Sequence, residues 1–368
     1  MEPRPQVEFV GVHKSFGAVR VIDDLTLSVR AGEFLSLLGP SGCGKTTSLG
    51  ILAGFVTPDR GEVRLSGEVV THVPTHRRNL GMVFQRYTLF PHMNVFDNVA
   101  FGLRLRRRSS AEVARRVDAA LALVHLEGVR RRFPGELSGG QQQRIALARA
   151  LVVEPKVLLL DEPLSSLDAK LRREMQVELR KIHDDLGTTT IYVTHDQEEA
   201  LVLSDRIAVM QHGRIVQVDT PRAVYGTPRT RFVAEFVGDS NFLPARILAR
   251  GGSRLRLRAA AGFELDLPPD GAAWSPDVDA AVELVVREDG LRLSLDPPDT
   301  TPSVRGTVER VVYHGTFWKY FVRLGAAEVR ARAPVSAATP YPPGQEVYVA
   351  LLAEALTIVE PPDAAART

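Results

Sequence analysis

The stretch "GEFLSLLGPSGCGKTT" at Gly32–Thr47 decides the fold, because an apolar run is followed at once by a glycine-rich loop. The run predicts a buried strand, and "GPSGCGKTT" fits the phosphate-binding pattern of Gly, any four residues and Gly-Lys-Ser/Thr. The glycines let the backbone wrap phosphates, Lys45 reaches the outer phosphates, and the Thr46 hydroxyl can ligate magnesium. The predicted nucleotide cradle consists of Gly39, Pro40, Ser41, Gly42, Cys43, Gly44, Lys45, Thr46 and Thr47.

Two further apolar runs end in polar residues that suit phosphate chemistry. The run "VLLLDEP" at Val157–Pro163 predicts a strand that ends in Asp161 and Glu162. Asp161 can hold magnesium through water, and Glu162 is placed to take a proton from an attacking water. The run "TIYVTHD" at Thr190–Asp196 places His195 at the end of another strand. Because ligands collect outside the carboxyl ends of parallel strands, we expect these groups and the phosphate loop at one edge of a sheet.

The wider pattern divides the chain into an α/β part and a β-rich part. Up to about residue 238, short apolar runs alternate with longer helical segments, which favours a largely parallel sheet with a helical subdomain at about 87–153. Beyond that point, alternating runs such as "RLRLRAAAGFELDL" indicate small β-barrels or sandwiches. We therefore expect domains at 1–238 and 239–368, with the tail "PPDAAART" disordered.

Composition bounds the class of protein. The 368 residues carry 46 Lys and Arg against 44 Asp and Glu, and this mild basic excess is no argument for a nucleic-acid ligand. Cys43 is the one cysteine, so an internal disulfide is excluded and a reducing compartment is favoured. The sequence shows neither a run of about 18 apolar residues nor the apolar core of a signal peptide. The prediction is a cytosolic chain that reaches a membrane only through a partner.

A second anion-binding feature lies in "LSGGQQQR" at Leu137–Arg144. Ser138, Gly139 and Gly140 precede a strongly helical stretch, and the start of a helix offers unpaired amide donors and a partial positive charge. The chain already has one phosphate cradle, so this second feature needs a different phosphate to bind.

Together these motifs resemble the ATPase subunit of an ATP-binding cassette (ABC) importer, and the similarity covers essentially the whole chain. Their order is that of the family: phosphate loop, Gln85 in "MVFQRYTLFPHMNVFDNVAFG", signature "LSGGQQQR", "LLLDEP", "SSLDAK" and His195. The chain length and the β-rich C-terminal region resemble the sugar, polyamine and ferric-iron importer branch, most of all its spermidine/putrescine type. The resemblance implies a P-loop ATPase cassette, followed by a smaller all-β domain of OB-like (TOBE-type) barrels.

The resemblance also implies what the signature binds. In this family the signature helix binds the γ-phosphate of ATP held by the other subunit, so two chains sandwich two ATP molecules head to tail in a two-fold homodimer. The signature residues here are Ser138, Gly139, Gly140 and Gln141.

Four more residues receive roles from the resemblance. Gln85 would contact magnesium and the attacking water, and His195 would contact the γ-phosphate. Asp168 in "SSLDAK" would act across the dimer interface. Phe16 would stack on adenine, unless it is an ordinary core aromatic.

The segment Arg86–Gly102 carries many apolar side chains directly after Gln85, namely Tyr87, Leu89, Phe90, Met93 and Phe96. Pro91 should interrupt any helix there, so these side chains cannot all share one buried stripe. Some would join the core of the helical subdomain. The others are expected to line an exposed apolar groove of the kind that binds amphipathic helices. The resemblance implies that a short cytoplasmic helix of the permease docks in it.

The resemblance implies an ATP- and Mg²⁺-dependent enzyme that is bound peripherally at the cytoplasmic face of the inner membrane. Its partners would be two transmembrane permease subunits and, indirectly, an extracytoplasmic solute-binding protein, with no nucleic acid. The solute stays open. The stretches "FVGDSNFLPARI" and "VVYHGTFWKYFVRLG" favour polyamines, while ferric iron, phosphonate and sugar are the alternatives.

Two other classes of function are alternatives. A soluble cassette ATPase that acts on nucleic acid or ribosomes usually carries two cassettes or a long inserted coiled coil, and the sequence shows neither. A regulatory scaffold that binds ATP without turnover is disfavoured by the intact Glu162 and His195. The arginine runs Arg104–Arg108 and Arg130–Arg132 are either a solvated helix face or a surface for anionic lipid head groups.

Overall fold

The computed structural model describes residues 5–85, 89–251, 254–267, 277–299, 301–335, 341–352 and 355–359. The chain separates into two compact units, Met1–Pro221 and Arg222–Thr368. The domain boundary expected at residue 238 lies inside the second unit. That boundary stays a prediction, because a division by compactness need not coincide with the limits of a domain. Tyr87 and the tail 361–368 lie outside the described residues. No helix in the described part of the chain is long and apolar enough to cross a membrane.

The first unit contains the α/β part. Its strands within the described ranges are β1 (Pro5–Phe16), β2 (Val19–Arg30), β3 (Phe34–Leu38), β4 (Arg60–Leu65), β5 (Glu68–Val69), β6 (Leu80–Val83), β7 (Val157–Asp161), β8 (Thr189–Thr194), β9 (Arg206–Gln211) and β10 (Arg214–Asp219). Its helices there are α1 (Lys45–Ala53), α2 (Val95–Leu105), α3 (Ser110–Leu123), α4 (Gly139–Leu151), α5 (Ala169–Leu186) and α6 (Gln197–Leu203).

The central sheet has the strand order β10-β9-β3-β8-β7-β6. Strands β9, β3, β8, β7 and β6 run parallel, and β10 is antiparallel to β9 at the edge. Every residue of β3, β7 and β8 is buried, because both faces of the sheet are covered. This is why these strands read as continuous apolar runs, and the predicted parallel sheet is confirmed.

A second sheet, with the order β2-β1-β4-β5, is antiparallel and was not predicted. The two long strands β1 and β2 alternate buried and exposed residues, as a sheet with one solvated face does. Their inward side chains, such as Phe9 and Leu27, share a core with α1 and with β3, β7 and β8. That core fixes the strand that carries the phosphate loop.

The helical section packs on the other face of the central sheet. The N-caps of α2 and α3 are Asn94 and Ser109, whose side chains accept hydrogen bonds from the amides of Asp97 and Glu112. Their buried faces join α4, α5 and the sheet in one apolar core that includes Phe34 of β3. The helical section predicted at about 87–153 therefore contains three α-helices in its described part.

The second unit is β-rich, as predicted. Its strands within the described ranges are β11 (Ser240–Gly251), β12 (Arg254–Ala259), β13 (Glu264–Leu267), β14 (Ala281–Arg287), β15 (Leu291–Ser294), β16 (Ser303–Tyr313), β17 (Phe317–Leu324), β18 (Ala327–Pro334), β19 (Glu346–Leu351) and β20 (Leu356–Val359). Two short helices precede them, α7 (Pro221–Gly226) and α8 (Arg231–Phe236). The strands form two antiparallel sheets, β13-β12-β11-β14-β20 and β15-β19-β16-β17-β18, which share one apolar core.

Candidate active site

The phosphate loop joins β3 to α1, and two of its glycines have no room for a side chain. A Cβ on Gly39 would lie 2.4 Å from the carbonyl oxygen of Met210 on β9. Gly44 has a φ of +108°, and a Cβ there would lie 2.6 Å from the Ile22 side chain. Both positions need glycine, since any other residue would clash with the wall behind the loop. Beyond them, Ser41 and Gly42 are exposed, while Pro40 and Thr47 are half-buried.

Lys45 is folded into the loop. Its Nζ donates hydrogen bonds to the carbonyl oxygens of Gly39 at 2.7 Å and Pro40 at 2.9 Å, and the residue is buried. Helix α1 begins at Lys45 after Gly44, and no side chain in the described ranges caps it. Its first amides are therefore donors for an anion, next to an ammonium group. Cys43 is also buried, and burial raises the pKa of its thiol.

Thr46 and Asp161 form a polar pair where β7 ends. The Thr46 hydroxyl donates to Asp161 Oδ1 at 3.2 Å, and Asp161 is buried. Burial, aided by the neighbouring Glu162 charge, raises the pKa of the Asp161 carboxyl above its ordinary value, while Thr46 and Lys45 act in the opposite direction. A hydroxyl beside a buried carboxylate suits a hard divalent cation. The described residues contain no cluster of three or more His, Cys, Asp and Glu that could hold a metal, so such a cation would need phosphate and water ligands as well.

Glu162 connects two side chains that come from other strands. Its Oε2 accepts a hydrogen bond from Gln85 Nε2 at 3.2 Å, and its Oε1 lies 3.0 Å from His195 Nδ1. Gln85 follows β6, Glu162 follows β7 and His195 follows β8, so the three meet at the carboxyl ends of the strands. A carboxylate held between an amide and an imidazole in a partly exposed position can take a proton from a water molecule.

The backbone at Glu162 is strained. Its φ of +44° lies in the left-handed region, which costs a residue with a side chain about 1–3 kcal/mol. The Glu162 amide donates to the Val193 carbonyl at 2.9 Å, and the Glu162 carbonyl accepts from the Ser165 hydroxyl at 2.9 Å. These bonds hold the turn that aims the carboxylate at Gln85 and His195.

Phe16 lies at the end of β1 with 51% of its surface exposed, so it is not a core aromatic. The Lys14 ammonium lies 5.3 Å from the centre of its ring. A large part of the ring is therefore free for stacking against a planar ligand.

The signature residues form the first turn of α4. Ser138 is the N-cap: its hydroxyl accepts from the Gln141 amide, and Gln141 Oε1 accepts from the Ser138 amide at 3.1 Å. The amides of Gly139 and Gly140 have no acceptor among the described residues. Gly140 packs tightly on α5, because a Cβ there would lie 2.9 Å from the Leu171 side chain. The helix thus begins with two open amides and almost no side chain over them.

Asp168 caps α5. Its Oδ1 accepts from the amides of Lys170 at 3.1 Å and Leu171 at 3.0 Å. The carboxylate expected to act across a dimer interface is therefore also a helix cap within its own chain.

Sequence reasoning missed a buried polar network beside His195. Glu199 on α6 is 2% exposed and accepts hydrogen bonds from the hydroxyls of Tyr192 and Thr194, each at 2.7 Å. Arg172 on α5 lies close to the same carboxylate, with its Nε 3.9 Å from Glu199 Oε1. These contacts join residues 20 or more positions apart or on different elements, so no local spacing indicates them. From the sequence alone, Glu199 is equally compatible with an exposed position in the first turn of a helix and with a buried one.

An apolar groove with a volume of about 780 Å³ lies beside Gln85. Its apolar wall consists of Leu80, Met82, Phe84, Phe90, Phe101, Leu105 and Val153. Phe90 packs against Phe101 with 4.7 Å between the ring centres, and Leu105 is 71% exposed. His76, Arg106 and Arg149 also line the groove.

Only some of the apolar residues of the segment Arg86–Gly102 that were expected to line the groove do so. Phe90 lines the groove, whereas Leu89 and Phe96 are partly buried against the core of the helical section. Met93 is half-buried and does not line the groove, and Tyr87 lies outside the described residues. The wall from Leu80 to Phe84, on and after β6, was not predicted.

Most of the arginines in the two runs have partners in their own unit. Arg104 pairs with Asp97 at 2.8 Å, and Arg130 pairs with Asp118 at 2.9 Å. Arg106 donates to Asn79 Oδ1 at 2.8 Å and to the Val153 carbonyl at 2.9 Å. These contacts favour a solvated helix face.

Comparison with known families matches both units. Residues 22–165 match the family described as ABC transporter, and residues 284–359 match the TOBE domain. The first match contains the phosphate loop, Gln85, the signature and Glu162. The second lies wholly in the β-rich unit.

Curated relatives match over most of their length. The spermidine/putrescine import ATP-binding protein of Rubrobacter xylanophilus is 49% identical over 95% of this chain and 92% of the relative. Proteins of the same name from Acidothermus cellulolyticus and Mesorhizobium japonicum are 52% and 45% identical, over 85% and 94% of this chain and 81% and 95% of the relatives. With these identities and with the geometry of its P-loop unit, the chain belongs to the ABC transporter family, as one of its ATP-binding and ATP-hydrolysing subunits.

Proposed function

We propose that this chain drives the uptake of polyamines such as spermidine and putrescine by hydrolysing ATP in a membrane importer. The observation that carries the ATPase part is the Glu162 carboxylate held between Gln85 and His195, next to the phosphate loop. The polyamine part is supported by relatives named for spermidine/putrescine import, at 45–52% identity. Ferric iron, phosphonate and sugar are the alternative solutes.

In this proposal the phosphate loop binds the phosphates of ATP. The open amides at the start of α1 and the Lys45 ammonium supply donors and positive charge, and Gly39 and Gly44 let the backbone approach closely. The exposed face of Phe16 stacks on the adenine. Loss of the Lys45 ammonium would weaken the hold on the outer phosphates.

Thr46, Asp161 and Gln85 would hold Mg²⁺. The hydroxyl and the carboxylate already lie 3.2 Å apart, and both are oxygen ligands of the kind that Mg²⁺ prefers. A bound Mg²⁺ would neutralise charge on the β- and γ-phosphates. Its positive charge would also favour the ionised form of Asp161, whose pKa is raised by burial.

Glu162 acts as the general base. Its carboxylate takes the proton of the attacking water, which Gln85 helps to orient, and His195 contacts the γ-phosphate. The strained turn at Glu162 places the carboxylate for this step.

Two copies of the chain form the working enzyme. Ser138 and Gln141 shape the first turn of α4, which leaves the amides of Gly139 and Gly140 open for the γ-phosphate of ATP held by the partner. Asp168 acts across the same two-fold interface. Two ATP molecules are then closed between the two chains.

In each chain of the proposed dimer, the groove beside Gln85 receives a cytoplasmic helix from one of the two transmembrane permease subunits. This docking holds the enzyme peripherally at the cytoplasmic face of the membrane. A solute-binding protein on the other side delivers the polyamine to the permease and touches the ATPase only through it.

The test is transport by a reconstituted complex. The chain is co-purified with candidate permease subunits from the same organism and placed in liposomes with a candidate binding protein, and uptake of labelled spermidine is measured with ATP. Glu162→Gln should keep ATP binding and lower hydrolysis by roughly 10²–10⁴, the worth of a general base, and uptake should fall with hydrolysis. Near-normal hydrolysis in Glu162→Gln would remove Glu162 as the base. Uptake of maltose or ferric iron in place of spermidine would reassign the solute.

A further inference from the structure

We propose that Arg172 is a positioning residue that holds His195 in register with Glu162. This inference rests on the proposed function for the roles of His195 and Glu162. Arg172 lies in the first turn of α5, and its guanidinium contacts two different segments of the site. Its Nη2 donates to the Leu167 carbonyl at 3.0 Å, and its Nη1 donates to Asp196 Oδ2 at 3.4 Å.

The first segment is a compact connector that begins at Glu162. The Ser165 hydroxyl and amide both donate to the Glu162 carbonyl, at 2.9 Å and 3.2 Å. The Leu167 amide donates to the Leu164 carbonyl at 3.1 Å, and both leucines are buried. Because of these contacts, the position of the Leu167 carbonyl is fixed relative to the backbone of Glu162.

The second segment is anchored just after His195. Asp196 is the N-cap of α6: its Oδ1 accepts from the amides of Glu198 at 2.8 Å and Glu199 at 3.2 Å. The Asp196 amide donates to the Thr194 hydroxyl at 2.9 Å. Asp196 is thus tied to the end of β8 on one side of His195 and to α6 on the other, while its Oδ2 faces Arg172.

Together these contacts close a ring. It runs from Glu162 along the connector to Leu167, through the Arg172 guanidinium to Asp196, and back through His195 to Glu162, where the last two side chains lie 3.0 Å apart. The pairing of β7 with β8 and the bond from the Glu162 amide to the Val193 carbonyl already join the two backbones before the strands end. Arg172 adds a second connection beyond the strand ends, and its removal would leave the segments after Glu162 and His195 without that connection.

The third donor of the Arg172 guanidinium is less well satisfied than the two Nη groups. The Arg172 Nε is buried with no hydrogen-bond partner in the described part of the chain. It points towards Glu199 Oε1 at 3.9 Å, beyond hydrogen-bond distance. A buried donor without an acceptor is unfavourable. The guanidinium thus makes its hydrogen bonds through the two Nη groups, which join the segments that bear Glu162 and His195, while Nε has only the longer ionic contact with Glu199 among the described residues.

The chain offers a matched control on the same helix. Arg180 also lies on α5, is about one-third exposed like Arg172, and donates to a carbonyl, that of Leu203, at 2.8 Å. It also pairs with carboxylates, those of Asp184 and Asp205. Arg180→Met thus removes a comparable set of contacts from α5 without touching the ring.

The experiment compares Arg172→Met and Arg180→Met in steady-state ATP hydrolysis, ATP binding and thermal melting. Misplacement of a reacting group by about 1 Å costs up to about 100-fold in rate, so Arg172→Met should lower kcat by about 10- to 100-fold. ATP affinity should stay within about twofold in both variants, because only positioning for the chemical step changes. Arg180→Met should keep kcat within about twofold. A normal kcat in Arg172→Met, or an equal loss in Arg180→Met, would overturn the proposal.

A double-mutant cycle identifies the route of the effect. If Arg172 acts through His195, then His195→Ala already removes what Arg172 positions, and adding Arg172→Met should lower kcat no further. Additive losses would overturn the proposal. Asp196→Asn retains the helix cap and weakens only the pairing with Arg172, so it should lower kcat in the same direction if Arg172→Met proves unstable. The Glu162→Gln and His195→Ala single variants separate the two claims. If they keep full turnover, the proposed site fails, whereas if they lose turnover and Arg172→Met does not, only this inference fails.

Discussion

Glu199 is 2% exposed, and the chemistry of this one side chain links the stability of the first unit to pH. Burial raises the pKa of its carboxyl above the ordinary value of 4.5, although the Tyr192 and Thr194 hydroxyls oppose the shift. The folded chain therefore binds a proton more tightly here than the unfolded chain. The stabilisation is fully present below pH 4.5 and is lost as pH rises through the folded pKa.

Glu199→Gln should remove this dependence. The free energy of unfolding of the natural chain should decline relative to the variant as pH rises above 4.5, because only the natural chain releases the buried proton. The measurement is the difference in melting temperature between the two proteins from pH 4.5 to 8. Glu198→Gln is the matched control, since Glu198 is exposed on the same helix. A melting temperature of the natural chain that stays constant or rises relative to that of Glu199→Gln as pH increases would contradict the assignment.

For single residues, the sequence predicts those side chains that stand in a short motif with a characteristic spacing. Lys45 and Glu162 stand in short motifs whose spacing follows from how a loop wraps phosphate, and Phe16 follows from the family resemblance. Arg172 and the buried state of Glu199 depend on the packing of α5 and α6 against β8, over 20 or more positions for Arg172 and Asp196. Their contacts cross from one element to another, so no local spacing pattern indicates that geometry. The left-handed φ of Glu162 is likewise a product of the Val193 and Ser165 hydrogen bonds.

Among the elements, α4 offers the sharpest test because its first turn has nothing of its own to bind. Ser138→Arg would place a bulky cation beside the two open amides that, in the proposed dimer, bind the partner's phosphate. We expect ATP binding at Lys45 to survive, while ATP-dependent dimer formation and hydrolysis fail. Equilibrium dialysis, gel filtration with ATP and an ATPase assay measure the three properties.

The control for Ser138→Arg is Ser109→Arg. Ser109 caps α3 as Ser138 caps α4, so each substitution loses a cap worth about 0.5–2 kcal/mol. Only the change at Ser138 should abolish hydrolysis. Mixing Ser138→Arg with Lys45→Ala chains creates one composite site that lacks both defects, and partial activity should return. Verified heterodimers without any activity would count against a signature that acts in trans.

The strands divide into those that sequence reasoning finds and those that it misses. Strands β3, β7 and β8 are buried on both faces and appear as apolar runs that end in candidate site residues. In β2 the sequence "VRVIDDLTLSVR" mixes polar and apolar residues, since only one face of that sheet is buried. Such a period-two pattern is weak over one strand and gains meaning only from its partner, β1, so the antiparallel sheet was missed.

At the scale of the whole molecule, the proposed function assigns the groove beside Gln85 to assembly with a membrane partner. Phe90→Asp should weaken association with the permease and abolish transport, because a carboxylate in an apolar groove must be desolvated by the docking helix. The isolated subunit should still hydrolyse ATP. Co-purification with the permease subunits measures the effect, beside melting and ATPase assays.

Two further variants separate docking from folding. Leu105→Asp alters the same groove at a residue that is 71% exposed, so it should weaken co-purification without lowering the melting temperature. Val177→Asp changes an apolar residue on α5 that is 69% exposed and lies outside the groove, and it should leave co-purification intact. If both groove variants still co-purify, the groove is not the docking site. A collapsed melting temperature in Phe90→Asp alone would make Phe90 a core residue.

The two units have separate apolar cores, and this separation affects how the chain can evolve. In the first unit, the sequence of the phosphate loop can change very little. A side chain at Gly39 would clash with the Met210 carbonyl, so no other residue fits there. The apolar core of the second unit is formed by its own two sheets. In β12, for example, buried Leu255 and Leu257 alternate with exposed arginines. Evolution can therefore change the sequence of the second unit, or replace that unit with another domain, while the nucleotide-binding unit stays the same.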